Sequence, residues 1–224
     1  MKSQAPILLL PTAYLPPIEY MAWLAVAESA EIELHETYPK QTWRNRCSIL
    51  TANGPLALSI PVEKPLGNHS PTGMVRISKH LPWQKQHWRS IESAYSKSAF
   101  FLYYKEVLEP LFQKEPPEKL TEWNQLILDQ LLEALGLSLP IRYTRNFERE
   151  SSGKTDLRFL LSPKAKNRDV KTHEAFKEYF QPFLDRHGFF GNQSIIDLLF
   201  NLGPDTPAYL QQCGEELIAQ FREG

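Results

Sequence analysis

Asn53-Gly54 constrains the fold of this chain more than any other pair of residues. It stands between Cys47-Ser48-Ile49-Leu50-Thr51 and Leu56-Ala57-Leu58-Ser59-Ile60, two short apolar runs of strand composition. Both residues tolerate positive φ, so the pair predicts a tight turn that folds the runs into an antiparallel hairpin.

Other elements can be placed around that hairpin. Ile7 to Leu10 is a continuous apolar run ending at Pro11, the pattern of a buried strand. Pro16-Pro17 forces a loop, and Pro17 is suited to open a helix carrying Ile18, Met21, Ala22, Leu24 and Ala25. Ile32 and Leu34 alternate with Glu31, Glu33 and His35, which reads as a second strand. Residues 63–73 read as loop and Val75-Arg76-Ile77 as a short strand. From Trp83 the spacing becomes helical, with His87, Ile91, Ala94 and Tyr95 on one face. A further helix is expected over Lys105 to Phe112. Leu120, Trp123, Leu126, Ile127, Leu131 and Leu135 form an amphipathic stripe ending at Gly136. Ile141 to Thr144 reads as a returning strand and 145–156 as the best flexible loop. Leu157 to Leu161 fits strand or helix equally. Thr172 to Arg186, Ser194 to Leu202 and Thr206 to Arg222 read as three closing helices. The fold class is therefore α/β or α+β. The expected architecture is a small N-terminal mixed sheet with a β-hairpin, followed by a largely helical C-terminal half. One domain over 1–224 is expected, strand-rich to about residue 80.

Bulk properties exclude several classes. The formal net charge of −1 gives no general attraction to nucleic acid or anionic membrane. The N-terminal apolar run is four residues, far short of a secretory core or of the roughly 20 a membrane span needs. Cys47 and Cys213 are isolated, which fits a reducing compartment, so a cytoplasmic location is expected. The histidines are scattered without metal-ligand spacing, and no metal or cofactor is expected. Gly153-Lys154-Thr155 is no phosphate loop, because Glu148 stands where that motif needs its first glycine.

Four stretches resemble the WbqC-like protein family. They are Leu10-Pro11-Thr12-Ala13-Tyr14-Leu15-Pro16-Pro17-Ile18-Glu19-Tyr20; Tyr38-Pro39-Lys40-Gln41-Thr42-Trp43-Arg44-Asn45-Arg46 with the hairpin and Ser59-Ile60-Pro61-Val62; His87-Trp88-Arg89-Ser90-Ile91 with Ala94-Tyr95-Ser96-Lys97-Ser98; and Gly188 to Pro204. The chain departs from the family in having His35 where an acidic residue is common, and Leu10 where glutamine commonly precedes Pro11. The resemblance implies a link to bacterial surface polysaccharide and O-antigen biosynthesis, with a sugar or sugar nucleotide as small-molecule partner. It carries no assigned chemistry.

The richest polar stretch is His35-Glu36-x-Tyr38-x-Lys40-x-x-Trp43-Arg44-Asn45-Arg46, set between two predicted strands. Lys40, Arg44 and Arg46 are suited to phosphate, arginine through its planar fork. If 44–47 is extended, Arg44 and Arg46 share a face and grip one anion. Asn45 both donates and accepts, as sugar hydroxyls require. Trp43 and Tyr38 offer stacking surfaces, and Tyr14, Tyr20 and Tyr95 are further candidates to line the pocket. His35, Glu36 and His87 are the acid–base candidates. The strand–loop–helix entry at Thr12 to Tyr20 has the placement used by nucleotidyl transferases, whose helix N–H groups bind anions. It lacks a His-x-Gly-His-like element and a Gly-rich run, and Pro16 and Pro17 remove two donors, so nucleotidyl transfer is the weaker alternative. Two functional readings remain open: a transferase-type enzyme acting on an activated sugar, and a non-catalytic carbohydrate-pathway binding or scaffold protein. Oligomeric state is not readable from the sequence.

Overall fold

The computed structural model describes residues 5–149, 151–159 and 175–223. The fold is mixed α/β, as the element pattern predicts. Four parallel strands form its central sheet: β1 (Ile7–Pro11), β2 (Ser29–Glu33), β7 (Ile141–Tyr143) and β8 (Thr155–Asp156), in the order β7-β2-β1-β8. The hairpin of β3 (Arg46–Thr51) and β4 (Gly54–Ser59) is a separate sheet, as is the pair β5 (Val62–Glu63) and β6 (Arg76–Ile77). Two strands of the main sheet thus come from the second half of the chain.

The parallel arrangement follows from the first crossover. β1 is buried from Leu8 to Pro11, and α1 (Ile18–Ala25) returns the chain so that β2 lies beside β1 in the same direction. Residues Ile18 to Leu24 of α1 are all buried, and the helix packs chiefly against α7 (Thr206–Glu223). Gly214 of α7 makes this close approach possible: a methyl group there would overlap the Ala22 carbonyl oxygen and the Val26 side chain.

α2 (Trp83–Tyr95), α3 (Phe101–Gln113) and α4 (Leu120–Leu135) pack in succession through Trp83, Trp88, Phe112 and Trp123. The α4 stripe is buried at Leu120, Trp123, Ile127, Leu131 and Leu135 as its spacing predicts, and Gly136 ends the helix at φ 64°. Leu126 is exposed. α5 (Leu184–His187) and α6 (Ile195–Leu202) precede α7. No helix among the described residues is long and apolar enough to cross a membrane.

Three local expectations need correction. The hairpin turn lies one residue earlier than Asn53-Gly54: Thr51 pairs with Gly54, so Ala52 and Asn53 form the turn and only Gly54 has positive φ, at 96°. The expected helix from Thr172 to Arg186 is absent over 175–183, because Pro182 disfavours helical backbone at Gln181; only Leu184–His187 is helical. Residues 172–174 of that expectation lie outside the described residues, as do Leu160 and Leu161 of the undecided segment. The loop expected over 145–156 ends in β8, where Thr155 and Asp156 pair with Leu8 and Leu9.

Candidate functional site

β1, β2 and β7 step successively to one side of the sheet, and β8 then joins on the far side of β1. Open parallel sheets bind ligands at the carboxyl ends of their strands beside such a reversal. Here that edge carries charge. Glu33 ends β2 with a fully buried side chain. Its Oε1 accepts from the His35 backbone N–H at 2.7 Å and from the Thr144 hydroxyl at 3.0 Å; its Oε2 accepts from Arg158 Nη1 at 3.1 Å. Arg158, equally buried, also donates to Asp156 and to the carbonyl oxygens of Glu148 and Arg149. A buried ion pair repays its desolvation only when its polar atoms are engaged, and all three guanidinium nitrogens of Arg158 are bonded.

A second buried pair follows on the same segment. Arg44 donates from Nε at 2.8 Å and Nη2 at 2.5 Å, both to Oε1 of Glu36. Oε2 of Glu36 accepts no hydrogen bond among the described residues. Burial pushes the Glu36 carboxyl above its ordinary range, and Arg44 only partly reverses this. Asn124 of α4 supports the pair from beneath, donating to the Arg44 carbonyl at 2.8 Å and to the Thr12 hydroxyl, just past β1, at 3.0 Å. Tyr20 donates to the Pro11 carbonyl, and its phenol feels the Arg44 charge. The Tyr38 phenol feels both Arg44 and Arg46, and burial raises both tyrosines above the ordinary phenol range. The Tyr38 hydroxyl, the Trp43 indole N–H and Asn45 Oδ1 are buried without a partner among the described residues.

The shared grip of Arg44 and Arg46 on one anion is not what the backbone provides. Residues 43–45 form a turn, so the two side chains do not alternate along a strand. Arg44 is committed to Glu36, and Arg46 Nε donates to Ser59 on the neighbouring strand at 2.9 Å. Asn45 spends its amide on the Ile60 carbonyl. Lys40 is exposed and forms no ion pair among the described residues.

His35 is exposed, with Nε2 3.1 Å from the Thr144 carbonyl. A carbonyl only accepts, so Nε2 carries the proton and Nδ1 keeps its lone pair in the neutral ring. His35 and Glu36 therefore turn to different partners, one at the surface and one inside. His87 lies apart from them on α2, buried, 2.9 Å from the Tyr14 hydroxyl and also hydrogen-bonded to the Ser59 backbone. Burial pushes its pKa down to about 4, so the ring is neutral near pH 7. Tyr95 belongs to another constellation. It donates to Asp197 Oδ1 at 2.8 Å, while Tyr179 and Gln181 donate to Oδ2, so it serves the α6 entry rather than the sheet edge.

The N-terminus of α1 offers no anion site. Its first donors are taken, Ile18 N–H by the Gln193 carbonyl and Glu19 N–H by Asn192 Oδ1. Glu33, Asn124, Thr144 and Arg158 were not singled out in the sequence. Glu33 alone carries a signal, as a polar residue of an alternating strand; Asn124 meets Thr12, Thr144 meets Glu33 and Arg158 meets Glu33 through contacts more than 100 residues apart in sequence. Two open grooves, of about 620 and 300 Å³, lie away from this edge, one along α7 and one between the start of α2 and the end of α3.

The sequence profile of the WbqC-like protein family matches residues 12–182, a span containing the Glu33–Arg158 and Glu36–Arg44 pairs just described. An uncharacterized protein of Mycobacterium tuberculosis, Rv1507c, is 27% identical over 224 residues, covering 89% of this chain and 95% of its own length. No solved structure matches the chain.

Proposed function

The chain belongs to the WbqC-like protein family, and on that premise we propose that it is a transferase-type enzyme acting on an activated sugar or sugar nucleotide in bacterial surface polysaccharide or O-antigen biosynthesis. The observation that carries this reading is the divided carboxylate of Glu36. One oxygen is held by Arg44 and the other has no hydrogen-bond partner among the described residues, on a group whose pKa burial has raised. A general base needs a fixed orientation, an open lone pair and a pKa moved toward the working pH. Glu36 takes the proton of an acceptor hydroxyl as that oxygen bonds to the anomeric carbon and the bond to the departing phosphate oxygen breaks. Arg44 holds the carboxylate in place. His35, Lys40 and Tyr38 border the same segment and contact the ligand.

A second reading, a non-catalytic carbohydrate-pathway binding or scaffold protein, draws support from one observation. His87 and Tyr95 are fully engaged with protein partners, and His35 and Glu36 turn away from each other.

A thermal-shift screen of nucleotide sugars against the wild type and Glu36→Gln tests the first reading. A ligand at about 100 times its Kd stabilises the native state by roughly 2.7 kcal/mol. The expected result is a rise with at least one nucleotide sugar, and turnover in a parallel assay that Glu36→Gln slows at least about a hundredfold. Binding with no turnover under any acceptor favours the second reading, and no binding at all removes both.

A further inference from the structure

The joint grip on phosphate expected of Arg44 and Arg46 is not formed, since Arg44 is paired with Glu36 and Arg46 Nε is bonded to Ser59. The same edge of the sheet carries three other arginines. Arg142, Arg145 and Arg149 are exposed and form no ion pair among the described residues. They lie on β7 and the segment that follows it, whose course is fixed at both ends. At its start the Thr144 carbonyl accepts from His35 and the Thr144 hydroxyl donates to Glu33. At its end the carbonyls of Glu148 and Arg149 accept from the buried Arg158, which is itself held by Glu33 and Asp156. Residues 144–149 therefore run as a strap across the carboxyl ends of β2 and β8, on either side of β1. The strap's acid, Glu148, lies 3.7 Å from Lys154, which Glu31 holds more closely at 2.7 Å, so a single partly compensated carboxylate stands among the three arginines. Phe147 packs against the Arg158 guanidinium with its centroid 5.3 Å away and remains half exposed, as does Tyr143.

We propose that the 144–149 strap, with Arg142, Arg145 and Arg149, is the diphosphate-binding subsite of this protein, and that it takes the diphosphate of a nucleotide. Three guanidinium forks on a pinned backbone suit a polyanion, because arginine gives two parallel donors to phosphate oxygens and stays charged. Carboxyl ends of parallel strands beside a topological reversal are where such ligands sit. The half-exposed ring of Phe147, between Arg145 and Arg149 in the strap, gives the base an aromatic surface on the same segment. This assignment rests on the sugar-nucleotide reading for the identity of the ligand, but its residues are separate from the Glu36–Arg44 pair.

Calorimetric titration of the full chain with UDP, ADP, GDP and inorganic pyrophosphate, at low and high salt, decides it. The wild type is expected to bind at least one nucleoside diphosphate, more weakly as salt rises. Arg145→Ala and Arg149→Ala should each weaken binding about tenfold, with partial recovery in the lysine variants, whereas Arg46→Ala should change it little. Both side chains are exposed, so the unfolding transition of each variant should match the wild type. Unchanged affinity in Arg145→Ala and Arg149→Ala, or loss confined to Arg46→Ala or Lys40→Ala, overturns the strap and leaves the sugar-nucleotide reading standing. Pyrophosphate or nucleotide binding that needs the strap, with no turnover of any nucleotide sugar, supports the subsite and sinks the transferase. No binding of any of the four anions overturns the subsite.

Discussion

Arg44 holds Glu36 by one oxygen only: Nε and Nη2 converge on Oε1, at 2.8 and 2.5 Å, with both side chains buried. Two charges in a low-dielectric setting depend on each other. Removing Arg44 strands a buried carboxylate, at a cost of about 3–5 kcal/mol, whereas replacing both residues by apolar ones is close to neutral. Arg44→Leu should therefore lose roughly 3 kcal/mol in urea unfolding, and Glu36→Leu/Arg44→Leu should recover most of it. A double variant no more stable than the single one contradicts the pairing.

His87 predicts a pH dependence. Burial pushes its pKa down to about 4 in the folded protein from the ordinary imidazole value of 6.5. Between those values the unfolded chain binds the proton and the folded one does not, so stability falls as pH drops from 6.5 to 4. The full effect is on the order of 3 kcal/mol. Glu36 and Asp197, whose carboxyls burial raises, act with the opposite sign in their own acid windows. Subtracting the pH–stability curve of His87→Gln from that of the wild type isolates the histidine. A flat difference curve from pH 6.5 to 4 contradicts the buried neutral ring.

Tyr38 carries a buried hydroxyl with no hydrogen-bond partner among the described residues. An unsatisfied buried polar group costs about 1–3 kcal/mol. Tyr38→Phe should leave stability unchanged or raise it by about 1 kcal/mol in chemical denaturation. A loss above roughly that amount means the hydroxyl has a structural partner.

Gly214 sits where α7 touches the α1 backbone. Alanine improves helix propensity by about 1 kcal/mol, but its methyl group meets the Ala22 carbonyl oxygen, which cannot rotate away. Overpacking of this kind costs about 1–3 kcal/mol, so Gly214→Ala should lower the unfolding midpoint on balance. A raised midpoint in thermal unfolding shows that the helices can separate freely.

These features divide by how local their causes are. The hairpin, the α4 stripe and its Gly136 terminus are legible in the sequence because turn chemistry and periodicity act over a few residues. β8 is not, because two residues carry no period and Thr155-Asp156 becomes a strand only by pairing with Leu8 and Leu9. Glu36 and Arg44 were visible as members of one polar run, but not as a pair, since extended backbone was expected where Trp43 to Asn45 turn. Arg158 was invisible as a site residue: its carboxylate partner on β2, Glu33, is 125 residues away. The segment after Phe176 looked helical until Pro182 is weighed and Tyr179 and Gln181 are seen to be drawn to Asp197.

The most direct test of the central claim is release of nucleoside diphosphate from nucleotide sugars, with a pool of monosaccharide acceptors, by the wild type and Glu36→Gln in parallel. Binding is measured on the same samples. Loss of a general base slows turnover about 10²- to 10⁴-fold. The account predicts release by the wild type and at least about a hundredfold slower release by Glu36→Gln, with the nucleotide sugar still bound. Equal rates in the two proteins, or no nucleotide sugar bound by either, would contradict it.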